Sequence, residues 1–386
     1  MHWYVALSAL ASFVVAGIAA AVMRVWAPKW GLVDHPGERK IHERPIALGG
    51  GVAIWAGVCL PLAVIELLLV PWAQAYRANP DSARLDFSFA GAWGARLAEF
   101  VEPHLPGLVA QAGDLWFILA CGSVLALLGL VDDLRGLDWR FRIGVETLVA
   151  AAVVFGRGWK LTLFVDAPLL TDVLTVVWIV GLVNSFNMLD NMDGLAAGVA
   201  AIASAILATV MLLTPEAGSS QPQLFVAGVL FVLTGALLGF LLHNRPPARI
   251  LMGDAGSYFI GFMIAVMTIL ATFSGDDVPR HAILAPLCVL AVPIYDTLSV
   301  LLIRLRAGRS PFQGDTNHFS HRLVALGLTR PQAVLTIYLT TAASGMGALL
   351  LHQVDGAGAA VVLLMIGCLL AVVAILEATA RRKLRP

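Results

Sequence analysis

The chain has 386 residues, 59% of them apolar and 13% charged, with a mean hydropathy of +0.85. Globular domains carry roughly 25% charged residues, so these figures rule out disorder and argue against a soluble domain. Lys+Arg and Asp+Glu balance at 25 each, so net charge singles out no partner, and no nucleic acid is expected.

A helix that crosses a bilayer needs about 20 mostly apolar residues. Eleven runs qualify: 3–23, 48–70, 114–131, 143–157, 169–186, 194–213, 223–243, 256–273, 281–303, 332–351 and 358–377. The fourth is short and carries Glu146; the fifth begins beside Asp166 and Asp172. The first run has no Lys or Arg before it, and Arg24 and Lys29 follow, which differs from a signal peptide and orients its N-terminus outward. Alternation of eleven spans then puts 19 Lys and Arg residues inside and 6 outside. This bias supports both the number of spans and their orientation. The expected fold is an all-α polytopic membrane protein, one integral domain over 1–386, with its N-terminus outside and its C-terminus cytoplasmic. Residues 71–113, with Pro71, Pro80, Pro103 and Pro106, form an external loop insertion. Cys59, Cys121, Cys288 and Cys368 lie in apolar runs and are expected as free, buried thiols.

Five polar islands remain, and on this topology all face the cytoplasm. A transporter is expected to keep ionisable groups near the midplane. The first island, residues 31–51, holds Asp34, Glu38, Arg39, Lys40, His42 and Arg44 before Gly49-Gly50-Gly51. It reads as an ordinary basic loop or as an anion-handling loop whose glycines allow close backbone approach. In the second, Asp132 and Asp133 are adjacent at the inner end of a span. A carboxylate there opposes the helix dipole, so either the end is solvated or the pair serves as a general base or a metal environment.

The third island packs Asn184, Asn187, Asp190, Asn191 and Asp193 into ten residues. A continuing helix would put the three asparagines on one face; their oxygens suit Mg²⁺ or a nucleotide. In the fourth, Asp254 precedes a span, where helix capping alone explains it; Asn244, Arg245 and Arg249 flank it. In the fifth, His318 and His321 share a helix face among Arg306, Arg309 and Arg322, a setting that fits phosphate better than zinc. Asp296 lies two turns inside the ninth span and must be paired or face a polar cavity. Glu66 and Glu377 lie near span ends, where they can snorkel.

In this order, VDxPxERKxH, the paired aspartates, NxxNMxDxxDGL, MGDxGS and SPFxxDxxHxxHRL resemble the polyprenyl-phosphate N-acetylhexosamine-1-phosphate transferase superfamily. The likeness runs from Gly31 to Arg322. The ERKIH loop and the SPF-to-HRL segment resemble its N-acetylglucosamine-1-phosphate branch. Asn191 departs from the pattern, standing where the family usually has Gly.

The resemblance implies a membrane phosphotransferase. It would move N-acetylglucosamine 1-phosphate from UDP-N-acetylglucosamine to undecaprenyl or another polyprenyl phosphate and release UMP. This is the first membrane step of a cell-envelope polysaccharide. The alternative is a phospho-N-acetylmuramoyl-pentapeptide transferase or a sister enzyme for another UDP-N-acetylhexosamine. It further implies Asp254 and Asn187 as ligands of Mg²⁺ (or Mn²⁺). Asp132, Asp133, Asp190, Asp193, His318 and His321 would be catalytic: the aspartate pair positioning or deprotonating the lipid phosphate or helping to hold the metal, Asp190 and Asp193 toward the nucleotide-sugar, the histidines toward the diphosphate. Arg39, Lys40, His42, Asn184, Asn244, Arg309 and Arg322 would bind substrate. The expected setting is the inner (plasma) membrane with a cytoplasmic active site, and a homodimer is allowed.

Overall fold

The computed structural model describes residues 2–34, 45–78, 91, 94, 96, 99, 102–161, 167–214, 222–271, 279–312 and 317–383. The chain is helical almost throughout. The helices are α1 (His2–Trp26), α2 (Gly50–Ala78), α3 (Leu105–Arg135), α4 (Trp139–Ala151), α5 (Pro168–Leu189), α6 (Leu195–Leu213) and α7 (Leu224–Asn244). There follow α8 (Gly253–Leu270), α9 (Ala285–Val289), α10 (Ala291–Arg306), α11 (Phe319–Ala325), α12 (Arg330–Leu351) and α13 (Gly356–Lys383).

Among the described residues nine helices are long and apolar enough to cross a membrane, or ten if α9 and α10 make one bent span. Their bend is 69°. Pro293 lies in the first turn of α10 and can donate no hydrogen bond back to Val289, which breaks the helix there. The expected span at 143–157 is not among these nine, because α4 has only 13 residues; it also carries Arg140, Arg142 and Glu146. It nonetheless runs the full depth of the bundle, continuing through a π-turn at Ala152–Gly156. At one end Arg142 pairs with Asp132 of α3 at 2.7 Å; at the other Arg157 pairs with Asp114 of α3 at 2.9 Å. Asp114 to Asp132 is about 27 Å of helix, close to the thickness of a hydrocarbon core.

Local signals set the ends of these helices. Gly136 closes α3 at φ +65°, its N–H bonded to the Asp132 carbonyl, and Asp138 caps α4 by accepting from the Arg140 N–H at 2.8 Å. Thr329 and Gln332 form a capping box at α12.

The layers sort by burial. α8 is buried over most of its length, whereas α13 leaves most of its surface to lipid. α8 packs against α3, α5 and α2, and α7 fills the space between α1 and α6. Leu68, Leu148, Phe155 and Leu169 are among the exposed apolar side chains that face outward, as lipid contact requires.

Four expectations are corrected. First, a small sheet is present: β1 (Val33–Asp34) pairs antiparallel with β2 (Ile46–Leu48), which pairs parallel with β3 (Ile250–Leu251). It ties the first polar island to the fourth. Second, α2 runs to Ala78 and α3 starts at Leu105, so both ends of the 71–113 segment expected as a loop are helical. Third, Glu66 and Glu377 are both 5% exposed and buried against the protein, not snorkelling. Fourth, the cysteines are free as expected, but Cys368 is exposed.

Candidate active site

The polar islands meet at the start of α8. Gly253 opens this helix at φ +71°, and a Cβ there would lie 2.6 Å from Asp133 Oδ2. Gly129 of α3 and Gly51 of α2 flank the same turn. A Cβ on Gly129 would lie 2.4 Å from the Asp254 backbone, and one on Gly51 2.2 Å from Gly256 N. The missing side chains let three helices converge on one turn.

Asp133 accepts from the N–H of Asp254 at 2.9 Å and of Ala255 at 3.2 Å. It thus caps α8 from a neighbouring helix, where a negative charge is favoured. Helix capping therefore does not account for Asp254. The Asp254 side chain is 30% exposed and faces Asn187, whose Nδ2 is 2.6 Å from Oδ1. Turned over, the Asn187 amide would aim its carbonyl oxygen at the same place.

Asp132 is buried. It accepts from Leu137 N at 2.6 Å, Arg142 Nη1 at 2.7 Å and the Tyr258 hydroxyl at 3.0 Å. These bonds outweigh its unfavourable position on the α3 dipole. Its carboxyl lies within hydrogen-bonding reach of Asp254, and Arg142 is 3.7 Å from Asp254 Oδ2. Asp190 closes the group, accepting from the Gly253 N–H. Lying between membrane helices, its carboxyl is pushed up to about 7, by burial first and by the Asp133 charge second. Four carboxylates thus surround one turn of backbone, with Arg142 as the bonded cation.

The 190–194 turn is fixed from two sides. Asp193 Oδ2 accepts from Ala248 N at 2.9 Å. Asn244 accepts from Gly194 N at 3.0 Å and donates to the Ile250 carbonyl at 2.9 Å. Asn244, expected to contact substrate, is 3% exposed with both ends of its amide engaged, and it braces the turn. Asn191 also departs from expectation. α5 stops at Leu189, so Asn191 leaves the face of Asn184 and Asn187; it accepts from Ser320 Oγ of α11 at 2.5 Å. Asn184 lies one turn deeper, donating to Glu146 of α4 at 2.5 Å and to the Val180 carbonyl.

The fifth island docks through Ser320. His318 is buried, with Nδ1 3.0 Å from Asp296, which answers the need of Asp296 for a partner. The half-buried His321 ring is 6.3 Å away. Arg322, expected to contact substrate, is buried and held by Ser299, the Asn317 carbonyl and Glu377, so it braces the structure as well. Arg309 is exposed in the loop after α10. Arg39, Lys40 and His42 lie outside the described residues.

Three participants were not singled out from the sequence. Arg142 entered only as an inside charge and Glu146 only as a flaw in a span. Tyr258 went unnoticed, although it stands one turn after Asp254, on the same helix face.

Residues 115–272 match the family described as Glycosyl transferase family 4. The decaprenyl-phosphate N-acetylglucosaminephosphotransferase of Mycolicibacterium smegmatis is 31% identical over 365 residues, 89% of this chain and 81% of that protein. The chain belongs to glycosyl transferase family 4. Two further relatives place this family-4 transferase in the polyprenyl-phosphate N-acetylglucosamine-1-phosphate branch. The probable undecaprenyl-phosphate N-acetylglucosaminyl 1-phosphate transferase of Bacillus subtilis is 29% identical, covering 83% of this chain and 78% of that protein. The undecaprenyl-phosphate alpha-N-acetylglucosaminyl 1-phosphate transferase of Escherichia coli is 27% identical, covering 82% of this chain and 75% of that protein. The family-4 match spans α3 to α8, the stretch that supplies all four clustered carboxylates.

Proposed function

We propose that the protein transfers N-acetylglucosamine 1-phosphate from UDP-N-acetylglucosamine to a polyprenyl phosphate at the cytoplasmic face of the plasma membrane. The observation that carries this reading is the carboxylate surplus at the start of α8, set at a bilayer boundary. Such a surplus suits a divalent cation bridging anionic reactants. Among the described residues no three His, Cys, Asp or Glu side chains form a metal site by themselves. Mg²⁺ takes one or two carboxylates and completes its shell with water and phosphate. Asp254 and Asn187 would hold it. When bound, Mg²⁺ would neutralise the diphosphate and the charge that develops on it.

An oxygen of the lipid phosphate attacks the β-phosphorus of the sugar nucleotide. One phosphoanhydride forms, the α–β anhydride breaks, and UMP leaves with the bridging oxygen. A phosphate monoester with a second pKa near ~6 is mostly dianionic at neutral pH, so it needs little activation. Asp132 and Asp133 would orient it, with Arg142 as its electrostatic partner. His318 and His321 would contact the diphosphate, and Asp190 and Asp193 the nucleotide-sugar. An apolar cleft of about 530 Å³, lined by Ile294, Leu298, Leu302, Leu363, Ile366 and Leu370, offers room for part of the lipid tail.

Membranes containing the protein, given a panel of labelled UDP-sugars and polyprenyl phosphate, should load the lipid best from UDP-N-acetylglucosamine. Preference for UDP-N-acetylmuramoyl-pentapeptide would select the sister reaction instead. Reporter fusions after Arg142, Arg249 and Arg330 should read cytoplasmic, and one near Arg84 external. An external signal at any of the first three breaks the single-faced site.

A further inference from the structure

Asp296 is 1% exposed in α10, and both of its carboxylate oxygens are engaged. Oδ2 is 3.0 Å from His318 Nδ1, and Oδ1 accepts from the Phe319 N–H at 2.6 Å. Phe319 is the first residue of α11, and the His318 side chain does not cap that helix. One carboxylate on a membrane helix therefore caps α11 and orients the imidazole at its start. A carboxylate only accepts, so Nδ1 carries the proton and Nε2 is the ring nitrogen left for other contacts.

A further layer holds Asp296 in place. Arg322 Nη2 is 3.9 Å from Asp296 Oδ1. The same guanidinium is fixed by Ser299 Oγ at 2.8 Å and the Asn317 carbonyl at 2.9 Å. Its Nε pairs with Glu377 Oε2 at 3.1 Å, and Glu377 accepts from the Tyr295 hydroxyl at 2.9 Å. The chain of contacts runs from the last span, α13, through α10 to the histidine. The Ser320–Asn191 bond then seats α11 beside the turn that carries Asp190.

We propose that Asp296 is a positioning residue for the transfer: it holds His318 Nδ1–H so that Nε2 is presented to the diphosphate of the sugar nucleotide. Arg322 and Glu377 keep that carboxylate from turning. This rests on the proposed reaction. It adds a carboxylate from a deep part of α10 to a site otherwise built at the start of α8.

The test is a double-mutant cycle of Asp296→Asn and His318→Gln, reading kcat and KM for UDP-N-acetylglucosamine on protein of verified fold. Asn keeps an oxygen for the Phe319 N–H but turns an amide toward Nδ1, which favours the wrong tautomer. Asp296→Asn alone should lower kcat about 10–100-fold, the scale seen when a metal-bound histidine loses its carboxylate partner, and leave KM nearly unchanged. In the His318→Gln background the same change should cost no further kcat. Equal losses in both backgrounds, or wild-type kcat in Asp296→Asn, overturn the proposal. Wild-type kcat in His318→Gln overturns the role of the histidine and this proposal with it, while leaving the transfer reaction standing. A wild-type protein that transfers no sugar phosphate overturns the reaction itself and the proposal that rests on it. Should Asp296→Asn fail to fold, ¹⁵N spectra of histidine-labelled wild type decide, with the His318 signals assigned by their loss in His318→Gln. A proton on Nδ1 is expected, and a ring that carries its proton on Nε2 alone overturns the proposal.

Discussion

Two polar clusters stand side by side at the same end of the helical bundle. The first gathers Asp132, Asp133, Asp190 and Asp254 around the start of α8, with Arg142 bonded to it. The second gathers Asp296 and Glu377 around Arg322, beside His318. The first has more negative charge than its guanidinium can balance. In the second, one guanidinium stands between two carboxylates, and one of those is bonded to a histidine. On the proposed function, a cation and its anionic reactants complete the first cluster from outside. The second needs no ligand to hold its shape, and so can serve as a frame.

The largest effect should come from the unbalanced cluster. Asp254→Asn should lower kcat at least about 10²–10³-fold, the scale of losing one electrostatic contact to the reacting group. Because Asp133 caps α8, the variant should unfold no earlier than wild type without Mg²⁺. Added Mg²⁺ should raise the Tm of wild type alone. A Mg²⁺ response kept in Asp254→Asn would place the cation elsewhere.

Next comes the cap itself. Asp133→Ala removes the acceptor for two N–H groups and should cost about 1–2 kcal/mol of stability as well as activity. Asp133→Asn keeps one acceptor, so it should recover much of the stability and little of the activity. Thermal unfolding beside initial rates separates the two losses.

In the second cluster the order reverses. Glu377→Ala leaves a buried guanidinium short of a partner and should cost about 3–5 kcal/mol, read as a lower Tm. The folded fraction should keep its KM for UDP-N-acetylglucosamine and its Mg²⁺ response. A large change in KM with an unmoved Tm would make Glu377 part of the binding site instead of the frame.

The division between the clusters was only partly legible in the sequence. The polar islands announced themselves because carboxylates and amides between apolar runs have few structural uses. The pairing of Asn187 with Asp254, 67 positions apart in sequence, could be anticipated only from family resemblance. Residue type suggested Arg322 and Asn244 as substrate contacts; that both are buried and bonded to neighbouring elements, and so also brace the structure, could not be read from the sequence. Glu146 looked like a defect of a weak span; its partner Asn184 sits on the next helix, and no local pattern reveals that. The sheet was invisible because its strands are two or three residues long and held by tertiary placement.

The smallest effect belongs to the opposite membrane face, away from both clusters. Lys160 pairs with Asp172 at 2.6 Å, with the lysine side chain 37% exposed. Lys160→Ala should change stability by no more than about 1 kcal/mol and leave transfer rates alone. A marked loss of activity there would extend the site across the bilayer.

The two clusters also bear on the number of chemical steps. If Asp132 and Asp133 only orient the lipid phosphate, enzyme stripped of lipid should not exchange labelled UMP into UDP-N-acetylglucosamine. Exchange abolished by Asp132→Asn or Asp133→Asn would make one of them a nucleophile that carries the sugar phosphate.

The central claim is that the unbalanced cluster moves a sugar together with one phosphate. The purified protein, in lipid nanodiscs with polyprenyl phosphate and Mg²⁺, can be given UDP-N-acetylglucosamine labelled with ³H in the sugar and ³²P at the β-phosphorus. Both labels should enter the lipid in equal amounts, matched by UMP released, and chelation of Mg²⁺ should stop all three. Tritium entering the lipid without ³²P, or release of UDP in place of UMP, would contradict the account.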